Sequence, residues 1–167
     1  VKEHFDSVMW SKWPDETIRT RTPEALDHYR YLLAEQIDFH LFCQYVFRRQ
    51  WMALKKYCND LSISLFGDMP IYVAEDSADT WTHPEIFRLD ENLLPTQVAG
   101  VPPDYCSEDG QLWGTPIYRW GVLWTRRYDW WVERMQGAAE LFDMIRIDHF
   151  IGFANYYAIP YGSPNAR

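Results

Sequence analysis

Apolar residues recur at helical spacing through Leu26, Tyr29, Leu33, Ile37, Leu41 and Tyr45, and again through Phe47, Trp51 and Leu54. Thr22, Pro23 and Glu24 form the start signal: a hydroxyl N-cap, then proline at the first helical position, where its missing N–H is not needed. The pattern predicts helix over 23–58. One helix of that length is exceptional in a globular domain, so two helices or a bend near residues 36–39 are expected. After Asn59 and Asp60 the period changes. Residues 61–66 alternate, which predicts a strand that stops at Gly67-Asp68-Met69-Pro70. A proline-punctuated loop with short elements fills 74–121. A helix is expected over 123–141, with Trp124, Tyr128, Trp131, Met135 and Ala138 on one stripe. Residues 142–150 then read as a second strand with a polar end.

Helix, strand, long loop, helix, strand is the rhythm of parallel α/β architecture. Both predicted strands finish in carboxylates, at the end where α/β barrels place catalytic groups. Residues 1–22 read as an irregular lead-in. No repeat, low-complexity tract or Gly/Ser linker interrupts the chain, so one folding region is expected.

Composition narrows the partners. The 167 residues carry a net charge of −8, which argues against a nucleic-acid backbone and offers no polybasic segment to an anionic membrane. No apolar run approaches the roughly 18 residues needed to span a bilayer. Val1-Lys2-Glu3-His4 has neither the basic nor the apolar region of a secretory signal. Cys43, Cys58 and Cys106 are an odd set without paired spacing and read as reduced thiols of a cytosol-like compartment. Aromatic residues reach 17%, a load that fills a core but also suits a groove where rings stack on sugar faces.

The chemistry concentrates at a few positions. Arg146 and Asp148 are two apart on the second predicted strand and so share a face. A guanidinium beside a carboxylate keeps it ionised, the state a glycosidase nucleophile needs. On pattern alone a structural ion pair is favoured over a catalytic one. Asp68, after Gly67, suits a sugar hydroxyl or a turn, and alone the turn is favoured. Between Gly100 and Gly114, paired prolines stiffen a stretch that places Tyr105 and Trp113 where loops are normally polar. Both rings could meet a ligand or fold back as a plug, and the two readings stand even. His83 and His149 lack the paired spacing of a metal site, so no metal is expected.

Four motifs together carry a family resemblance: Gly67-Asp68-Met69-Pro70-Ile71-Tyr72-Val73-Ala74, Val98-Ala99-Gly100-Val101-Pro102-Pro103-Asp104-Tyr105, Gly110-Gln111-Leu112-Trp113-Gly114 and Arg146-Ile147-Asp148-His149-Phe150. In this order, from about Thr22 to the end, they resemble the amylomaltases, 4-α-glucanotransferases also called disproportionating enzymes. The resemblance implies a partial (β/α)8 barrel around its third and fourth strands, with helical insertions. It divides the chain into a helical part over 22–60, a strand with a long active-site loop over 61–121, and a helix with the nucleophile strand over 122–167.

The same resemblance implies roles. Asp148 matches the nucleophile that forms a covalent glucosyl-enzyme intermediate, and Arg146 the arginine that supports it. Asp68 matches a sugar-binding aspartate and His149 a histidine close to the reacting sugar. Tyr105 and Trp113 fall in the loop over the donor and acceptor sites. The implied partners are α-1,4-glucans and maltooligosaccharides, with no cofactor, no nucleic acid and no membrane, in cytoplasm or plastid. Cys106 stands where the family commonly has Phe, Thr115 for Asn, Gly121 for Asp and Ile151 for Arg, which bears on acceptor preference and loop packing. The general-acid glutamate and transition-state-stabilising aspartate are implied on later strands beyond Arg167, in a missing C-terminal barrel half. The segment alone is therefore expected to be inactive. A non-catalytic glucan-binding module and an α-glucan hydrolase of the same superfamily are the competing readings.

Overall fold

The computed structural model describes residues 1–105 and 107–167. In chain order the elements are α1 (Glu16–Arg19), α2 (Pro23–Leu32), α3 (Ala34–Asp60), β1 (Phe66–Pro70), α4 (Ala78–Thr82), β2 (Gln97–Val101), β3 (Gln111–Pro116), α5 (Trp120–Thr125), α6 (Asp129–Leu141), β4 (Met144–Asp148) and β5 (Tyr157–Pro160). The fold is mixed α/β. Strands β1 and β4 pair as a two-stranded sheet, and β3-β2-β5 form a second sheet. Both pairings in the second sheet are antiparallel, with Val98 opposite Ile159 and Gly100 opposite Leu112. This sheet departs from the parallel α/β architecture expected from the order of elements. No helix among the described residues is long and apolar enough to cross a membrane.

The chain divides into two compact units. The first holds Val1–Val8, Lys12–Met69 and Trp131–Arg146; the second holds Met9–Ser11, Pro70–Trp130 and Ile147–Arg167.

In the first unit, Thr22 caps α2 through its hydroxyl, which accepts from the Ala25 N–H, and Pro23 opens the helix as the sequence indicates. The expected break in the long helical pattern falls at Leu33, earlier than residues 36–39. Leu33 leaves helical geometry at φ −108°, ψ 23° while its side chain stays buried, and α3 restarts one residue later. No glycine or proline stands at the break. Helix α3 is tied to the end of α6 by polar contacts. Trp51 Nε1 donates to the Leu141 carbonyl at 2.8 Å, and Lys55 Nζ donates to the carbonyls of Glu140 and Phe142 at 3.0 and 3.1 Å. A cation at the last carbonyls of a helix satisfies acceptors that have no intrahelical donor.

Residues 61–65 are not strand. Ser62 sits at φ 61°, and the carboxylate of Asp143 accepts the Leu65 N–H at 2.8 Å and the Asn59 amide at 2.9 Å. Strand β1 begins only at Phe66 and runs through Gly67-Asp68-Met69-Pro70, the stretch expected to be its terminating loop. The strand expected over 61–66 therefore overlaps the observed one only at Phe66, because the Asp143 carboxylate, 78 residues along the chain, takes the Leu65 N–H.

In the second unit, the core gathers Ile71, Ile86, Phe87, Ile117, Tyr118 and Leu123, all nearly or wholly inaccessible. Tyr118 Oη donates to the Ile71 carbonyl at 2.7 Å, so this wholly inaccessible ring has a partner for its polar end. Sheet β3-β2-β5 closes over Val98, Ile159 and Ala166. The helix expected over 123–141 is two helices, α5 and α6. Arg127 and Tyr128 take positive φ of 54° and 57°, and Tyr128 N–H returns to the Leu123 carbonyl at 2.8 Å, ending α5 with a left-handed cap.

Candidate functional site

On strand β4, Met144, Arg146 and Asp148 lie on the exposed face while Ile145 and Ile147 are half-buried, as two-residue periodicity requires. On β1 the alternation buries Gly67 and Met69 and exposes Asp68. Gly67 is necessary there: a Cβ at that position would come 2.3 Å from the Phe142 ring, so only hydrogen lets the strand pass.

Within the first unit, Asp68 and Arg146 face each other across the paired strands. Arg146 Nε donates to Asp68 Oδ1 at 2.9 Å, and a terminal guanidinium nitrogen donates to Asp68 Oδ2. This is the two-pronged fit of guanidinium to carboxylate. The hydrogen bonds from Arg146 hold the Asp68 carboxyl below the usual carboxylate range, reinforced by its charge and opposed by partial burial. Sequence reasoning coupled Arg146 to Asp148 by their spacing; the pairing with Asp68, 78 residues away, carried no sequence signal.

Within the second unit, the chain turns sharply after Asp148. His149 adopts a left-handed conformation at φ 52°, ψ 45°, so it belongs to the turn and not to the strand expected over 142–150. Its imidazole meets the Trp113 indole edge-on, with centroids 4.8 Å apart, and the Tyr72 ring at 6.4 Å. Trp113 lies on strand β3 rather than in the loop. Its Nε1 donates to Gln111 Oε1 at 3.0 Å, and about a third of its surface is exposed. Tyr105, in the loop before β3, is fully exposed. Neither ring is a buried plug. Cys106 lies outside the described residues. The carboxylate of Asp104 accepts the Ser107 N–H at 2.9 Å, which shapes the loop locally.

An open pocket of about 230 Å³ lies beside His149, lined also by Asn155, Tyr156, Tyr157 and Gly100, Val101 and Pro102. Tyr156 is held by Arg88, whose guanidinium donates to its hydroxyl at 2.9 Å. Sequence reasoning missed Tyr72, Arg88 and Tyr156. Tyr72 sat inside a motif already singled out, and the other two carry no local signal. Cys43 and Cys58 are free thiols, and no group of three potential metal ligands occurs among the described residues.

A carboxylate–guanidinium pair offers charged partners to hydroxyls, and exposed ring faces offer apolar ones. Each is a kind of group that can meet a saccharide, the ion pair in the first unit and the rings in the second. The 4-alpha-glucanotransferase family profile matches residues 1–167. A 4-alpha-glucanotransferase of Thermus thermophilus is 52% identical over 166 residues, covering 99% of this chain and 33% of that protein. The Streptococcus pneumoniae enzyme of the same name is 48% identical, with the same two coverages. Among solved structures, the amylomaltase of Streptococcus agalactiae in complex with acarbose superposes with a TM-score of 0.94 at 47% identity, over 99% of this chain and 33% of that one.

The chain belongs to the 4-alpha-glucanotransferase family. It spans about a third of the length of the curated relatives it matches.

Proposed function

We propose that the intact protein transfers α-1,4-glucan segments from a donor to the 4-hydroxyl of an acceptor glucan or glucose, through a covalent intermediate on Asp148. The observation that carries this reading is the Arg146–Asp68 pair two residues before Asp148, in a chain of this family. The chain contributes part of a (β/α)8 barrel with helical insertions, built as one incomplete catalytic region.

In the first half-reaction an oxygen of Asp148 bonds to the anomeric carbon as the bond from that carbon to the leaving 4-oxygen breaks. A general acid supplied by the rest of the intact protein protonates that oxygen. In the second, the same group takes the proton of the acceptor hydroxyl. The acceptor oxygen bonds to the anomeric carbon and Asp148 leaves, so configuration is retained. Asp68, kept ionised by Arg146, accepts hydrogen bonds from sugar hydroxyls. His149 borders the reacting sugar, and Tyr105 and Trp113 offer ring faces to the glucan. Water competes with the acceptor only as far as the site admits it. No cofactor enters this chemistry, and the reading places the intact protein in the cytoplasm or a plastid.

Asp148→Asn in the intact protein tests the proposal with maltotriose as donor and acceptor. Release of glucose and longer glucans should fall by about 10⁴-fold or more, the scale expected for loss of a nucleophile. Unchanged turnover sinks the nucleophile assignment. Retained glucan binding with no turnover in the unsubstituted protein would instead favour the binding module, and a net gain of reducing ends would favour the hydrolase. The 167-residue chain alone, lacking an acid partner, should form no products from maltotriose.

A further inference from the structure

We infer that Tyr72 is a positioning residue whose ring, with the space left by Gly152, fixes the imidazole of His149 against Trp113. The inference rests on the proposed reading of Asp148 and His149 as site residues, and it adds a residue to which that reading gives no part.

His149 needs a holder. A non-glycine residue at φ 52°, ψ 45° persists where its surroundings over-determine it. Two features of the second unit do so. Gly152 donates its N–H to the His149 carbonyl at 2.8 Å, closing the turn. A Cβ on Gly152 would stand 3.0 Å from His149 Cδ2, 2.9 Å from Ile71 Cδ1 and 3.3 Å from Tyr72 Oη. The absent methyl is therefore the space that lets imidazole and phenol approach.

Tyr72 is itself immobilised. It is 6% exposed and stacks on Tyr118 at 5.8 Å with planes 17° apart, and Tyr118 is pinned through its hydroxyl to the Ile71 carbonyl. The Tyr72 ring also neighbours His149 at 6.4 Å and Trp113 at 6.2 Å. The chain of contact thus runs from the buried core through two stacked phenols to the residue after Asp148.

The hydroxyl is not what anchors Tyr72. Its Oη is buried without a hydrogen-bond partner among the described residues. Burial, together with the nearby Tyr156, pushes this phenol up to about 12, so it remains neutral. A ring that works through packing can be replaced by another ring, whereas an aliphatic side chain cannot reproduce its flat face.

Three variants of the intact protein test this: Tyr72→Phe, Tyr72→Leu and Gly152→Ala. Two readouts are taken from each, the imidazole C–H resonances of His149, assigned with His149→Gln, and kcat and KM for maltotriose disproportionation. Tyr72→Phe should match the unsubstituted protein in both. Tyr72→Leu and Gly152→Ala should shift the His149 resonances and lower kcat by about tenfold to a hundredfold, the scale of a misplacement near 1 Å. KM should stay within about twofold, since a placement defect acts on the chemical step. Unmoved resonances in Tyr72→Leu overturn the inference, as does Tyr72→Phe behaving like Tyr72→Leu. If Tyr72→Leu does not fold, Gly152→Ala decides alone, and unshifted His149 signals there overturn it. If the unsubstituted protein forms no transfer products, the proposed function fails while the resonances still decide the role of Tyr72.

Discussion

Arg146 grips Asp68 from the neighbouring strand with two guanidinium nitrogens, one of them Nε at 2.9 Å from Oδ1. The pair joins residues 78 positions apart and sits two residues before the proposed nucleophile. Its consequence is that Asp68 is a committed anion. Because its folded-state pKa is depressed, its contribution to stability is present above the unfolded value near 3.9 and is lost as pH falls through the folded value. Following the Asp68 side-chain carbon by NMR during an acid titration should give a midpoint below that ordinary value. In Arg146→Gln the midpoint should rise toward it. A midpoint indifferent to Arg146 would show that the pair does not persist in solution.

Gly67 should be intolerant of even one carbon. Alanine there drives Cβ into the Phe142 ring at 2.3 Å, an overpacking that costs about 1–3 kcal/mol. Phe142→Leu in the same chain should recover part of the loss. Denaturant midpoints of the two single variants and the double variant give the coupling directly, and additive effects would mean the two sites do not touch.

Thr80 is a second point of sensitivity. It is fully buried, its hydroxyl donates to the Glu75 carbonyl at 2.6 Å, and it accepts from Trp10 Nε1 at 3.1 Å. It also closes the capping box of α4 with Ser77. Thr80→Val keeps the shape but removes these hydrogen bonds, leaving Trp10 Nε1 and the Glu75 carbonyl only each other at 2.8 Å, so a loss of about 1–3 kcal/mol is expected in thermal or denaturant unfolding. A variant as stable as the parent would mean water replaces the hydroxyl.

Tyr105 should behave in the opposite way. Fully exposed, it holds nothing together, and Tyr105→Ala should change stability by no more than about 0.5 kcal/mol. The effect should appear in glucan kinetics, as a raised KM for long acceptors with the melting temperature unmoved. A large drop in melting temperature with unchanged KM would assign the ring to packing instead.

Several elements were legible from local pattern. Thr22-Pro23 fixed the start of α2, because capping and proline geometry act over adjacent residues. The Arg146 and Asp148 alternation predicted a shared face on β4, because strand periodicity is a local property. Other elements were misplaced for physical reasons that lie outside any window. The strand predicted over 61–66 starts at Phe66, since Asp143, far along the chain, captures the Leu65 N–H. The helix expected over 123–141 breaks at Arg127 and Tyr128, whose left-handed backbone no glycine announced. Trp113, read as a loop residue, is on a strand because β2 lies beside it.

The sequence by itself determined the family, the chemically equipped residues and the faces they share, because motif order and side-chain alternation are written in the order of residues. Only the tertiary structure decided partners: Arg146 with Asp68, His149 with Trp113 and Tyr72, Lys55 with the end of α6. Hydrogen bonds and ring contacts depend on distance in space, and residues 78 positions apart become neighbours only when strands β1 and β4 pair.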